Sequence, residues 1–213
     1  MFIGHFAVAF AAKRVEASVS LGTYFAAAQF PDILWPYFLL AGVEHVTIAP
    51  GDTAFTPLRF DSYPISHSLL TVIAWGALLG LRWWRKRRLR AAVTIALLVV
   101  SHWVLDFVTH RPDMPLTPWS PVKLGLDLWN SVLGTLGIES AMFVGGVWLY
   151  LSHTRARDGV GRYGLAALVA LLAVIYVAAA FGPVAPSARA VALSAIPMPL
   201  LALWAAWADR HRV

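Results

Sequence analysis

The 213-residue chain contains no cysteine. That absence excludes disulfides, cysteine-ligated zinc, iron–sulfur clusters and thiol nucleophiles together. Charge is scarce as well: 13 % of residues are Asp, Glu, Lys or Arg, about half the share usual in soluble domains. So little polar surface cannot cover a water-soluble globule. The paucity of charge and an aromatic content of 13 % both argue against disorder. What takes the place of charge is apolar, with 59 % hydrophobic residues and a mean hydropathy of +0.67. An all-α, polytopic membrane protein is expected, with the lipid bilayer as its first partner. The length accommodates about six spans and no sizeable soluble domain.

Hydropathy divides residues 1–213, read as one transmembrane domain. The first apolar run, Phe2–Ala12, is followed by Lys13 and Arg14. A secretory signal carries its positive charge ahead of the apolar run, so this stretch reads as a half-length or re-entrant helix. Six longer segments follow: Ala17–Val43, His67–Trp84, Ala91–His110, Val132–Leu151, Tyr163–Phe181 and Ala188–Trp207. Pro31, Asp32 and Pro36 predict that the first of these is a broken helix with an acid at a cavity. Pro197 and Pro199 predict a kink in the last. With the Arg82–Arg90 loop in the cytoplasm, alternation brings 13 of the 17 basic residues to that side, as positive-inside insertion requires. The net charge of +6 then needs no nucleic acid to explain it. The expected location is a bacterial inner (plasma) membrane.

Ionisable groups within spans are costly and mark function by default. His5, Asp32, His67, His102 and Asp106 form a leading set, with His110 and Glu139 behind it. Measured from the basic side, His5 lies roughly 12 Å deep and His102 about 17 Å. Asp32, His67, Asp106 and Glu139 fall at roughly 18–26 Å. Five segments thus bring acid or imidazole to the midplane and the outer half. His102, Asp106 and His110 follow i, i+4, i+8 spacing and share one helix face. Imidazole with carboxylate suits zinc, manganese or iron in the absence of thiolate, and one or two such ions would neutralise the buried acids. Ser66, Ser68 and Ser101 offer hydroxyls to orient the imidazoles. Glu139 is open to reading as general base, ligand or helix-start residue, and the whole set equally as a proton relay or ion path. Glu44, His45, Asp52, Asp61 and Asp113 are expected in exterior loops as solvated or turn residues. His153 and His211 are expected at the cytoplasmic ends, outside any site.

Gly4-His5, Pro31-Asp32, Ser66-His67-Ser68-Leu69-Leu70 and Ser101-His102-Trp103-Val104-Leu105-Asp106 together resemble the YdjM-like family of predicted membrane-bound metal-dependent hydrolases. The resemblance covers roughly residues 1–150. It implies His5, Asp32, His67, His102 and Asp106 as metal ligands. Asp32 is followed by Ile33, Leu34 and Trp35, where the family usually has a second acid nearby. The function expected is metal-dependent hydrolysis of a lipid-like or membrane-associated substrate. A small transporter and a metal-stabilised scaffold are the alternatives from other classes. The longest exterior loops, 44–66 and 111–131, are expected to act as lids, with the site open toward the periplasm.

Overall fold

A computed structural model describes all 213 residues. Prolines and caps cut its first third into short helices. Helix α1 (Ile3–Val15) is the expected half-length element. The Ala17–Val43 segment breaks at Gln29 into α2 (Leu21–Ala28) and α3 (Phe30–Leu40). Ser20 caps α2 by accepting from the Thr23 amide at 3.2 Å. Pro31 occupies the first turn of α3, where its missing N–H leaves no bond unmade.

The loop that follows forms an antiparallel hairpin, β1 (His45–Ile48) with β2 (Leu58–Ser62). Helices α4 (Leu69–Arg85) and α5 (Leu89–Thr109) pair side by side. A second small ladder, β3 (Met114–Pro115) with β4 (Lys123–Leu124), sits in the next loop. Then come α6 (Val132–His153), a π-helical turn at Val160–Gly164, α7 (Leu165–Phe181), α8 (Ala188–Ala195) and α9 (Met198–Arg210). The last two meet at Pro197, where the kink was expected.

Four helices are long and apolar enough to cross a membrane: Leu89–Thr109, Val132–His153, Val160–Phe181 and Ala188–Arg210. The sequence predicted six. The Ala17–Val43 segment drops out because its break leaves pieces of 8 and 11 residues. Ser68 caps α4 and starts it two residues later than expected, so that it ends with 17 residues. Only 11 % of the most apolar window in Ala188–Arg210 is buried by protein. Its exposed Leu200 and Leu203 are suited to hydrocarbon contact.

Small residues let the helices approach closely, as membrane bundles require. On α4, Gly76 and Gly80 lie one turn apart against Ala96 and Ala92 of α5. On α6, a Cβ at Gly146 would lie 2.3 Å from the Ala7 carbonyl oxygen of α1. At the basic end of the bundle Lys13 Nζ is buried 3.0 Å from Asp209 Oδ2. The same carboxylate accepts the Tyr150 hydroxyl at 2.7 Å and the Leu21 amide at 3.0 Å. One acid of α9 therefore ties α1, α2 and α6 together.

Gly145 and Gly146 differ in one respect, since a side chain at Gly145 would meet open space. Gly146→Ala is expected to destabilise the protein by about 1–3 kcal/mol through overpacking. Gly145→Ala is expected to be neutral or slightly stabilising, because alanine is the better helix former. Thermal unfolding of the two purified variants, followed by loss of helical circular dichroism, checks the contrast.

Candidate metal centre

Four parts of the chain bring five side chains to one point. His5 comes from the first turn of α1 and Asp32 from the first turn of α3. His67 stands just before the Ser68 cap of α4, and His102 and Asp106 share a face of α5. All are buried except Asp32, whose side chain is 23 % exposed. His67 Nε2, His102 Nε2 and Asp32 Oδ1 form a nearly equilateral triangle with sides of 3.3, 3.3 and 3.6 Å. Asp106 adds Oδ2 at 3.1 Å from His102 Nε2 and 3.8 Å from His67 Nε2. Its Oδ1 lies 3.1 Å from His5 Nε2 and 2.5 Å from the Met1 nitrogen. The His5 and His102 rings stack at 3.8 Å. Two donor sets result, His5–His102–Asp106 and Asp32–His67–His102, sharing His102.

The hydrogen bonds behind the imidazoles decide what this cluster can hold. His102 Nδ1 lies 2.7 Å from the Ala28 carbonyl, at the end of α2 where the chain breaks. A carbonyl only accepts, so Nδ1 carries the proton. Ser66 Oγ donates to Glu44 Oε2 at 2.6 Å and is therefore an acceptor toward His67 Nδ1, also at 2.6 Å. In their neutral forms His67 and His102 would thus both present Nε2 lone pairs, facing each other and two carboxylates. Lone pairs at such spacing repel unless a cation or added protons lie among them. Three ligands at 2.0–2.2 Å around a tetrahedral ion stand about 3.3–3.6 Å apart. The donor set and its spacing therefore fit a divalent metal.

Ser66 does orient an imidazole, as expected. Ser68 is a helix cap and Ser101 donates to the Leu98 carbonyl, so neither touches a site histidine. Glu44, expected as a solvated loop residue, is 1 % exposed. Its Oε1 accepts the amides of Ile65 and Ser66, both at 2.8 Å, which fixes the turn carrying His67. Sequence position alone concealed this role, and a buried acid next to the Ser-His-Ser motif has no local signature.

Asp113 is likewise buried. It accepts from Tyr63 Oη at 2.6 Å and pairs with His110 Nδ1 at 2.9 Å. Burial and that carboxylate push the Tyr63 hydroxyl well above the usual phenol range. His110 belongs to neither donor set, although it shares the α5 face with His102 and Asp106. It is turned aside because the helix ends at Thr109. His45, Asp52 and Asp61 lie in the loop as expected, and His153 and His211 stay distant from the cluster at the basic end. His211 there pairs with Asp158 at 2.6 Å.

A cavity of about 170 Å³ leads to the cluster. Asp32, His67 and Asp106 form its polar floor; Phe55, Phe60 and Trp129 come from loops 44–66 and 111–131. Those loops hold each other, since the Phe55 amide donates to the Trp129 carbonyl at 2.9 Å. Glu139 also lines the cavity. Its Oε2 accepts the amides of Phe2 at 2.8 Å and Gly4 at 3.3 Å, which caps the free end of α1. Its Oε1 is buried without a partner.

His102→Ala and Asp106→Ala are each expected to lose most bound metal while still inserting in the membrane. Ser66→Ala is expected to weaken metal affinity about 10–100-fold, because it frees the His67 ring. His153→Ala and His211→Ala are expected to leave metal content unchanged. Metal analysis of the purified proteins reads all five.

A search of curated proteins and a search of solved structures return no match. A family model, YdjM inner membrane protein, matches residues 1–184. The match takes in every residue of the cluster and the two loops that line its cavity, and stops before α8. With that coverage and this arrangement of apolar helices, the chain belongs to the YdjM inner membrane protein family.

Proposed function

We propose that this protein is a membrane-embedded, metal-dependent hydrolase acting on a lipid-like substrate, with its site open to the periplasmic side of the inner membrane. The observation that carries this reading is the pair of Nε2 lone pairs, on His67 and His102, held toward two carboxylates at the floor of a cavity. His5, Asp32, His67, His102 and Asp106 would hold one or two divalent ions, with zinc favoured over manganese or iron by the imidazole content. A bound ion would polarise the scissile bond and acidify a coordinated water.

The chain supplies the rest. Glu139 Oε1, unpartnered at the cavity wall, is placed to accept a proton. Asp32, the most open of the five, stands where substrate enters. Phe55, Phe60 and Trp129 screen the cavity from bulk water. His110, held by Asp113, lines the wall rather than the donor set. A translocation path would have to continue past His5 to the basic face. There Phe6, Phe10 and Phe25 are packed ring on ring and fully buried, which favours catalysis over transport.

Purified protein loaded with zinc is expected to release product from a fluorogenic phospholipid in vesicles, and to stop when the metal is chelated. Glu139→Gln is expected to lower turnover at least about 100-fold with metal content intact; turnover at the unmodified rate removes Glu139 from the chemistry. For orientation, the absence of cysteine gives a clean background. Ser66 is buried and unsuited to labelling, whereas Trp119, Ser131 and Arg87 are exposed. Trp119→Cys and Ser131→Cys are expected to react with an impermeant thiol reagent outside intact cells, and Arg87→Cys is not. The reverse pattern places the cavity on the cytoplasmic side.

A further inference from the structure

A second hollow lies behind the cavity wall. It is a groove of about 360 Å³ between α7 and the bent α8–α9 pair, within the size range of small-molecule sites. Eight of its ten lining residues are hydrophobic, among them Leu171, Ile175, Met198 and Leu201. The bend at Pro197 shapes its mouth, and α7 and α8–α9 belong to segments apolar enough to lie in hydrocarbon. Groove and polar cavity share walls. Phe2 lines both, and α7 turns Ile175 toward the groove while Tyr176 and Ala179 line the cavity. The backbone amide of Phe2 donates to Glu139, which ties this shared wall residue to the cavity side.

We propose that the groove holds an acyl chain of a membrane phospholipid whose ester end passes Phe2 into the metal cavity. The proposal rests on the hydrolase reading and names the substrate class, a long-chain lipid entering sideways from the bilayer. The occupant follows from the surroundings. Only 28 % and 11 % of the apolar windows of the two flanking segments are buried by protein, so the groove opens between helices with apolar surface free for lipid contact. Its walls offer no charged side chain to hold anything else. The charged groups begin on the far side of Phe2, which matches the order of a lipid, apolar tail first and polar linkage second.

The test uses detergent-solubilised full-length protein and two photoreactive phosphatidylglycerol probes. One carries a diazirine at the terminal acyl carbon and the other beside the ester. The tail probe is expected to label Leu171, Met198 or Leu201 saturably, in competition with unlabelled phosphatidylglycerol. The ester probe is expected to label Phe2, Tyr176 or Phe60. Ala195→Trp, which fills the groove, and Ser194→Phe, at its exposed rim, are expected to abolish the saturable labelling while metal content stays at the unmodified level. Leu203→Trp, on a face outside the groove, is expected to retain it.

Labelling spread evenly over lipid-facing positions such as Leu97 and Val144, without saturation, overturns the proposal. So does labelling that survives both groove variants, or probes that exchange places. Metal content is read on the same samples. A protein that binds lipid in the groove but holds no metal overturns the hydrolase reading instead, and one that holds metal but no lipid overturns only the groove.

Discussion

Two imidazole protons organise the centre of this molecule. His67 and His102 each give up the Nδ1 hydrogen to a fixed acceptor, one to a serine whose own proton is already committed and one to a carbonyl at a helix break. Once those bonds are made, neither ring can point its remaining nitrogen anywhere but inward. The carboxylates of Asp32 and Asp106 then complete a pocket of electron pairs that hydrocarbon surroundings would not tolerate without positive charge. The break before Pro31, the buried Glu44 and the turn preceding α4 all serve this arrangement. They have no comparable reason to exist without it.

The surroundings divide the labour between two media. Away from the basic end, aromatic residues from two hydrogen-bonded loops line the cavity, and the Arg111–Asp52 pair at 2.8 Å helps hold them. Toward the basic side, Phe6, Phe10 and Phe25 close the bundle. Between them, three of the four long helices have less than a third of their most apolar window buried by protein. A polar cavity is thus set in a hydrophobic belt, and Phe2 together with α7 separates it from the apolar groove.

Much of the site was legible because helix periodicity is local. The spacing of His102 and Asp106 places them on one face whatever the tertiary fold, and Pro31 announces a break shortly before Asp32. Depth counted from the basic loops put His5 at roughly 12 Å and His67 among the groups at roughly 18–26 Å, so that the two meet at one point only through the packing of α1 against α5. What stayed hidden depends on contacts between distant segments. Glu44 acts on Ser66 from 22 positions away, and Asp113 reaches Tyr63 across 50; an acid in a polar loop looks the same whether solvated or buried. The number of spans was overestimated for a related reason. Hydropathy sums over a window, and it sees neither the cap at Ser68 nor the way a broken segment shortens into two packed helices.

The Lys13–Asp209 clamp at the basic face has a mechanical meaning. Helix α1 is pinned at both ends, by Glu139 at its first amides and by Asp209 at Lys13, so it behaves as a strut of set length. A bilayer that thins or thickens around the protein must be accommodated elsewhere. Gln29, where α2 and α3 part, is buried beside the Ala28 carbonyl that holds His102, whereas the bend at Pro197 lies outside the cluster. His5 is held on Asp106 at 3.1 Å by the strut. The part of the chain beyond the family match, α8 and α9, supplies the strut's anchor at Asp209.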